Sequence, residues 1–321
     1  MNSNTKKIII LIIGLLFISA VLSSLCGISS LGINFFRRGS SGSANTWTLK
    51  NNYSDIRVKS KTGSIKFYQS SDLNTKVVWS GSRNTKLSVR TNRSTLNIEE
   101  KYRLPWFLRP TGIFDSSEIR IFLPKELYDD LIISSDTGSI AIPSGLSFEE
   151  ANINTDTGSV DFRSGIKGDL KIESDTGRIT VNGVGPANMR LNSATGEVSA
   201  TNIKASKDIR LETDTGRITV TDVTCQKLEV KSDTGSLSLT NAVAADKMDL
   251  DSDTGSIKLD RCDAGSIEIE TDTGSIGGTL LSEKIFSAKS GTGRVSIPES
   301  TYGGPCQIKS DTGCITIEIV K

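Results

Sequence analysis

The sequence predicts an all-β chain wound into a parallel β-helix, a β-solenoid of about ten coils of 19–20 residues each. Three observations carry this. A short phrase, [Ser/Thr]-Asp-Thr-Gly-x-[Ile/Val/Leu], recurs from Ser135 to Ile315, with its glycines at Gly138, Gly158, Gly177, Gly196, Gly216, Gly235, Gly255, Gly274, Gly293 and Gly313. Apolar and polar residues alternate on both sides of each glycine, which is strand patterning. Beyond an N-terminal apolar run, no stretch has the 3.6-residue period of an amphipathic helix.

Counted from its glycine, each repeat is apolar at positions −7, −5, +2 and +4, as in Leu170, Ile172, Ile179 and Val181 around Gly177. That spacing gives two short strands, each turning one face inward. The Asp-Thr-Gly between them makes the corner, where glycine accepts positive φ and an aspartate can hold a turn. A further apolar residue near +7 or +8 (Leu146, Ile166, Val184, Ile203, Val223, Val243) marks a third side. One repeat buries too little to fold alone, so rungs must stack, and ten coils give a rod on the order of 50 Å long.

The rest of the chain divides around that array. Residues 1–37 read as a cytoplasmic tip and one transmembrane signal-anchor helix. Lys6 and Lys7 precede an uncharged run of eighteen residues, Ile8 to Leu25, longer than most cleaved signal cores and long enough to span a bilayer. The lysines place the C-terminal bulk outside, although Arg37 and Arg38 oppose that orientation. Cleavage near Ser23 or Ser24, giving a secreted protein, stays open. A lipoprotein at Cys26 is disfavoured by Leu25. Residues 38–45 form a Gly/Ser-rich flexible linker. Residues 46–130 form a strand-rich N-terminal cap with one early coil around Gly63. Its strands are Lys76–Ser80, Lys86–Arg90 and Thr95–Glu99, with a hairpin turn at Thr91-Asn92-Arg93-Ser94. The aromatic stretch from Tyr102 to Phe114 is a loop packed over the open end, with an exposed contact patch for a partner or the membrane surface as the alternative. Residues 131–321 are the solenoid. The array closes on Ile315–Lys321 with no capping element after it, which makes end-to-end self-association through that coil an expectation.

Composition narrows the chemistry. There is no histidine, and 38 basic residues balance 37 acidic ones to a net charge of +1. The commonest general base and metal ligand is missing, and no global field recruits nucleic acid. Five cysteines, Cys26, Cys225, Cys262, Cys306 and Cys314, show no CxxC spacing and read as buried free thiols; a Cys306–Cys314 bridge is the alternative. Asp-Thr-Gly-Ser also presents the carboxylate of aspartic proteases, but that chemistry needs two carboxylates sharing one proton, not a row of them. No catalytic or cofactor-binding residue is assigned.

Metal is the harder question. Asp136, Asp156, Asp175, Asp214, Asp233, Asp253, Asp272 and Asp311 would stack into a ladder broken at Ala194 and Gly291, a weak candidate for divalent binding. Neighbouring carboxylates about 4.8 Å apart in water repel by only about 0.9 kcal/mol, so the ladder stands without a cation. The +1 row alternates in sign through Arg178, Glu197 and Arg217, as a solvated charge ladder does.

The Ser-Asp-Thr-Gly-x-Ile repeat, entered through Ile119-Arg120-Ile121-Phe122-Leu123-Pro124, resembles a bacterial β-strand-repeat family, domain of unknown function 4097, labelled "putative adhesin". The resemblance runs from about Ile56 onward. It implies a β-helix behind an N-terminal anchor in the cell envelope and no established activity. The sequence therefore points to a non-enzymatic, membrane-anchored extracytoplasmic scaffold or adhesion module. Its candidate partners are the membrane, cell-wall glycan or another envelope protein. An envelope-stress sensor and a β-helix carbohydrate-active enzyme are the alternatives.

Overall fold

The computed structural model describes residues 44–81, 84–103, 117–124 and 127–320. The expected signal anchor, most of the linker, Cys26 and the aromatic stretch at 104–116 lie outside the described residues. Among the described residues there is no helix long and apolar enough to cross a membrane. The body comprises strands in one continuous hydrogen-bonded array, and it forms a unit from Gly42 onward.

Alternation dictates the rungs. In each, the strand before the glycine pairs in parallel with its counterparts above and below, residue for residue: Ala151 with Leu170, Leu170 with Met189, Met189 with Ile209. The strand after the glycine does the same: Val160 with Ile179, Ile179 with Val198, Val198 with Ile218. Like positions therefore fall in columns. The −7, −5, +2 and +4 side chains run up the axis as one dry core, with Ile153, Ile172, Leu191, Leu211 and Val230 fully enclosed. The regularity explains why a protein with few aromatics can be well packed: each β-branched or leucine side chain meets near-copies of itself.

The first corner is tight. At Gly138, φ is +126°, which only glycine adopts readily. A Cβ on Gly216 would lie 1.9 Å from the Gly196 carbonyl oxygen, so the column also needs glycine for closeness. The residue three before each glycine points inward and is buried, except at the outermost rung, where Ser290 is half-buried. Its hydroxyl donates to the glycine carbonyl of the neighbouring rung, as from Ser193 to Gly177 (3.1 Å), Ser252 to Gly235 (3.0 Å) and Thr271 to Gly255 (3.0 Å). Hydroxyls thus staple the corner from inside. At Thr155 and Ser174 the same hydroxyl is buried with no hydrogen-bond partner.

A second corner stands six residues after the glycine, in left-handed conformation: Gly183, Asn202, Asp222, Asn241 and Arg261, with φ between 51° and 73°. Asparagine and aspartate tolerate that region better than other non-glycine residues. They also bond along the column. Asn202 Nδ2 donates to Asn182 Oδ1 (3.2 Å), Asn241 Nδ2 to Asp222 Oδ1 (2.7 Å) and Arg261 Nε to Asn241 Oδ1 (2.8 Å). Beyond this corner Ile203, Val223 and Cys262 turn inward again as the third side.

The rung order departs from chain order at both ends. Strands Asp55–Ser60 and Gly63–Gln69 form the early coil, yet they are not outermost. Thr95–Tyr102 pairs on the far edge of the first and Ser117–Leu123 on the far edge of the second. Antiparallel strands then cover this end: Thr85–Asn92 on Thr95–Tyr102, Asn74–Ser80 on Ser117–Leu123, and Asn45–Lys50 on Asn74–Ser80. At the other end Gly304–Thr312 pairs with both Ile257–Thr273 and Lys284–Ser290, and Ile315–Ile319 pairs with both Ile276–Leu280 and Val295–Ser296. The Ser290 hydroxyl accordingly donates to the carbonyl of Gly313 (2.8 Å). The expectation that the segment from Ile315 onward ends the stack is corrected: the rung of Gly293 is outermost, and the rung of Gly313 is slotted beneath it.

Candidate functional site

The ten predicted corner glycines lie in one column, led by Gly63 and running in the spatial order 138, 158, 177, 196, 216, 235, 255, 274, 313, 293. The aspartates follow them. Asp156, Asp175, Asp214, Asp233, Asp253, Asp272 and Asp311 are exposed along one edge, and Asp136 is held by Lys61 Nζ at 2.7 Å. Among the described residues, no three His, Cys, Asp or Glu side chains converge on one point. The ladder is a line of carboxylates spaced by rungs, with Ala194 breaking it between Asp175 and Asp214.

The flat face carried by positions −6 and −4, joined by Lys247 at −8, is a lattice of compensating charges. Arg210 reaches Glu212 and Glu229, Lys231 bonds Glu229 at 3.1 Å, and Lys247 bonds Asp249 at 3.0 Å and Glu268 at 2.7 Å. Arg178 and Glu197 pair at 3.0 Å on the +1 row. Such exposed pairs contribute little stability each, but together they leave a neutral surface. Asp251 is the local exception. Partial burial raises its pKa, and Asp253, Glu270 and Asp249 add to this against the opposing charge of Lys231.

Three features fall outside what the repeat pattern revealed. The first is Glu100, 1% exposed. Burial pushes its pKa up, but hydrogen bonds outweigh burial and hold the carboxyl below its ordinary value. Ser117 Oγ donates at 2.6 Å, Ser60 Oγ at 3.0 Å, the amides of Lys61 and Thr62 at 3.1 and 3.2 Å, and Trp79 Nε1 at 3.3 Å. This carboxylate sits where the glycine column runs out, and it satisfies corner amides of the early coil. It is a plug, not a proton donor. The one sequence signal for it is an acidic residue at an inward position of strand Thr95–Tyr102.

The second feature is Lys284, its side chain 5% exposed, bonded to Asp263 at 2.6 Å and to Ser282 Oγ at 2.7 Å. The Ala264 amide and Ser282 Oγ also bond Asp263 Oδ1, at 2.8 and 3.0 Å. This pair ties the outermost rung to one two rungs below. The third concerns the thiols. Cys225, Cys262 and Cys306 are buried and free, whereas Cys314 is free but exposed, which corrects the reading of all as buried. Burial pushes Cys225 and Cys306 up to about 12, the latter despite the charge of Lys284. Such thiols are unreactive.

Concavities are shallow. One of about 860 Å³ at the C-terminal end is lined by Phe286, Val295, Ile297, Pro298 and Tyr302 among others. Another of about 410 Å³ is lined by Arg57, Arg93, Asn97 and their neighbours. Neither gathers the nucleophile, base and donor set that bond-breaking needs.

The arrangement defines a class: a β-solenoid of in-register rungs whose surface consists of extended faces. The particular family follows from the sequence. The Toastrack DUF4097 family model matches residues 53–210 and 196–321, and the chain belongs to this family. A solved "putative adhesin" from Bacteroides fragilis is 12% identical over 87% of this chain and 98% of its own, with a TM-score of 0.40. A "putative adhesin" from Parabacteroides distasonis is 11% identical over 86% and 98%, with a TM-score of 0.41. A "putative lipid binding protein" from the same species is 14% identical over 87% and 98%, with a TM-score of 0.32. No curated protein matches.

Proposed function

We propose that this chain is a non-enzymatic binding scaffold of the cell surface, held to the membrane by residues 8–25 with the solenoid outside. The observation that carries the reading is the register: like residues stack rung on rung into long, flat, charge-balanced faces. A face of that kind suits an extended or repetitive ligand, contacted weakly at many rungs and strongly in sum. Cell-wall glycan is the ligand class that fits best, because its hydroxyls and amides match surface Ser, Thr and Asn without demanding net charge. The name "putative adhesin" borne by solved relatives is consistent with this role.

The test is binding of the purified chain to a panel of cell-wall glycans and envelope proteins. Saturable glycan binding that strengthens with glycan length supports the proposal. Capture of a membrane kinase without glycan binding would favour an envelope sensor instead. Release of reducing ends from a polysaccharide panel would establish an enzyme. Protease protection of Lys6 and Lys7, with digestion of the solenoid in intact cells, tests the anchor and its direction.

A further inference from the structure

The two ends of the stack are finished differently. At the N-terminal end three antiparallel strands lie over the rungs, and their exposed residues include Asn45, Thr46, Thr48, Lys50, Lys86 and Arg90. Asn45–Lys50 and Thr85–Asn92 each keep one free edge, Trp47, Leu49, Leu87 and Val89 are partly covered, and Leu73 beside them is exposed. At the C-terminal end, among the described residues, strand Lys284–Ser290 has a partner on one edge only, and so does Val295–Ser296. The other edge presents unsatisfied backbone groups, a template for another strand. Apolar side chains crowd there. Ile285 is 51% exposed, Leu281 45%, Val295 38% and Tyr302 66%, while the core residues Phe286, Ala288 and Ile297 are only partly covered. The core is open at this end.

We infer that this end face is a docking surface for a second copy of the chain, joined tail to tail through antiparallel pairing of Lys284–Ser290 with itself. Two arguments select this occupant. The free-edged strands of the opposite end carry exposed Lys50, Lys86 and Arg90, so head-to-tail stacking would place apolar groups against these charges. The same end of a second copy offers both what is lacking, an open edge and an open core. The register is also self-complementary. With Ser287 on the two-fold axis, Phe286 faces Ala288 over the joined cores and Ile285 faces the stem of Lys289. No like charges meet. Lys289 and Arg294 on this rung are balanced by Glu283 and Glu299. A two-fold contact closes on itself, so the product is a dimer and not a fibre.

The register makes the inference testable in the full chain, studied by sedimentation in a density-matched detergent. Wild type is expected to dimerise reversibly. Ile285→Lys sets lysine against lysine at two symmetry-related positions and should weaken the dimer by about tenfold. Ile285→Glu at the same exposed site pairs with Lys289 and should preserve it. In a Cys26→Ser, Cys314→Ser background, Ser287→Cys should give a covalent dimer on mild oxidation. Directly opposed residues of antiparallel strands lie within disulfide reach. Ser159→Cys, exposed in mid-stack, should not. A monomer at every concentration, filaments longer than a dimer, equal behaviour of the two Ile285 variants, or equal cross-linking at residues 287 and 159 would each overturn the inference. None of these outcomes bears on glycan binding by the flat faces.

Discussion

At the scale of single residues, the molecule tests how much a buried hydroxyl or carboxylate contributes. Ser252 bonds the Gly235 carbonyl, whereas Ser174 occupies the equivalent place four rungs away without a partner. Ser252→Ala should therefore destabilise by about 1–2 kcal/mol, and Ser174→Ala should be neutral or slightly stabilising. Parallel urea titrations of the two variants measure the difference directly. Glu100 is the stronger case. Glu100→Gln keeps the shape but loses the charge that five donors address, and a loss of about 2–3 kcal/mol is expected. Its folded pKa is depressed below the ordinary 4.5. The stability it confers is therefore complete above that value and lost as pH falls through the folded pKa. In wild type, unfolding monitored from pH 6 downward should steepen below about 4.5, and in Glu100→Gln this component should be gone.

At the scale of the structural element, the two corners make opposite demands. The first needs glycine because the neighbouring backbone leaves no room, so Gly216→Ala should cost at least about 2–3 kcal/mol. The second needs only a residue that accepts positive φ. Nothing lies within 4 Å of a Cβ built on Gly183, whose φ is 73°, so Gly183→Asn should be tolerated within about 0.5 kcal/mol and extend the column begun at Asn202. Thermal melts of the pair check both. The contrast also explains what could be read from sequence. Glycine at the first corner is obligatory, so it recurs and announces the coil. The second corner accepts Gly, Asn, Asp or even Arg, so Asn202, Asp222 and Arg261 look unrelated until they are seen stacked. The paired strands were legible because alternation is fixed by which face is dry. Glu100 and the Lys284–Asp263 pair were not, because each depends on a neighbour set by the fold and distant in sequence.

At the scale of the whole molecule, period alone could not give the order of rungs. The phrase around Gly293 follows that of Gly274 by 19 residues, as a next rung should, yet the rung of Gly313 lies between them. Both orders satisfy the same register, since every rung offers the same apolar columns. What distinguishes them is the connection from Ile297 to Gly303, with its proline and exposed tyrosine, which returns the chain to the rung beneath. Hydrogen exchange measures the result. Amides of Ile315 and Thr316, paired on both edges, should be among the slowest, while alternate amides of Lys284–Ser290 should exchange quickly in the monomer. If the outermost rung were instead the last in sequence, these rates would be reversed.

The exchanged order has a mechanical corollary. A tug on the chain just past Ile319 does not lift an outer layer. It draws on a strand paired along its length with Ile276–Leu280 and locked at its far end, Ile315 and Thr316, beneath Val295–Ser296. Asp55–Ser60 at the other extremity is held on both margins, behind the covering strand Asn45–Lys50. Once that cover is stripped, a rod built this way resists further unravelling from its tips, a useful property for any tether that must hold under flow.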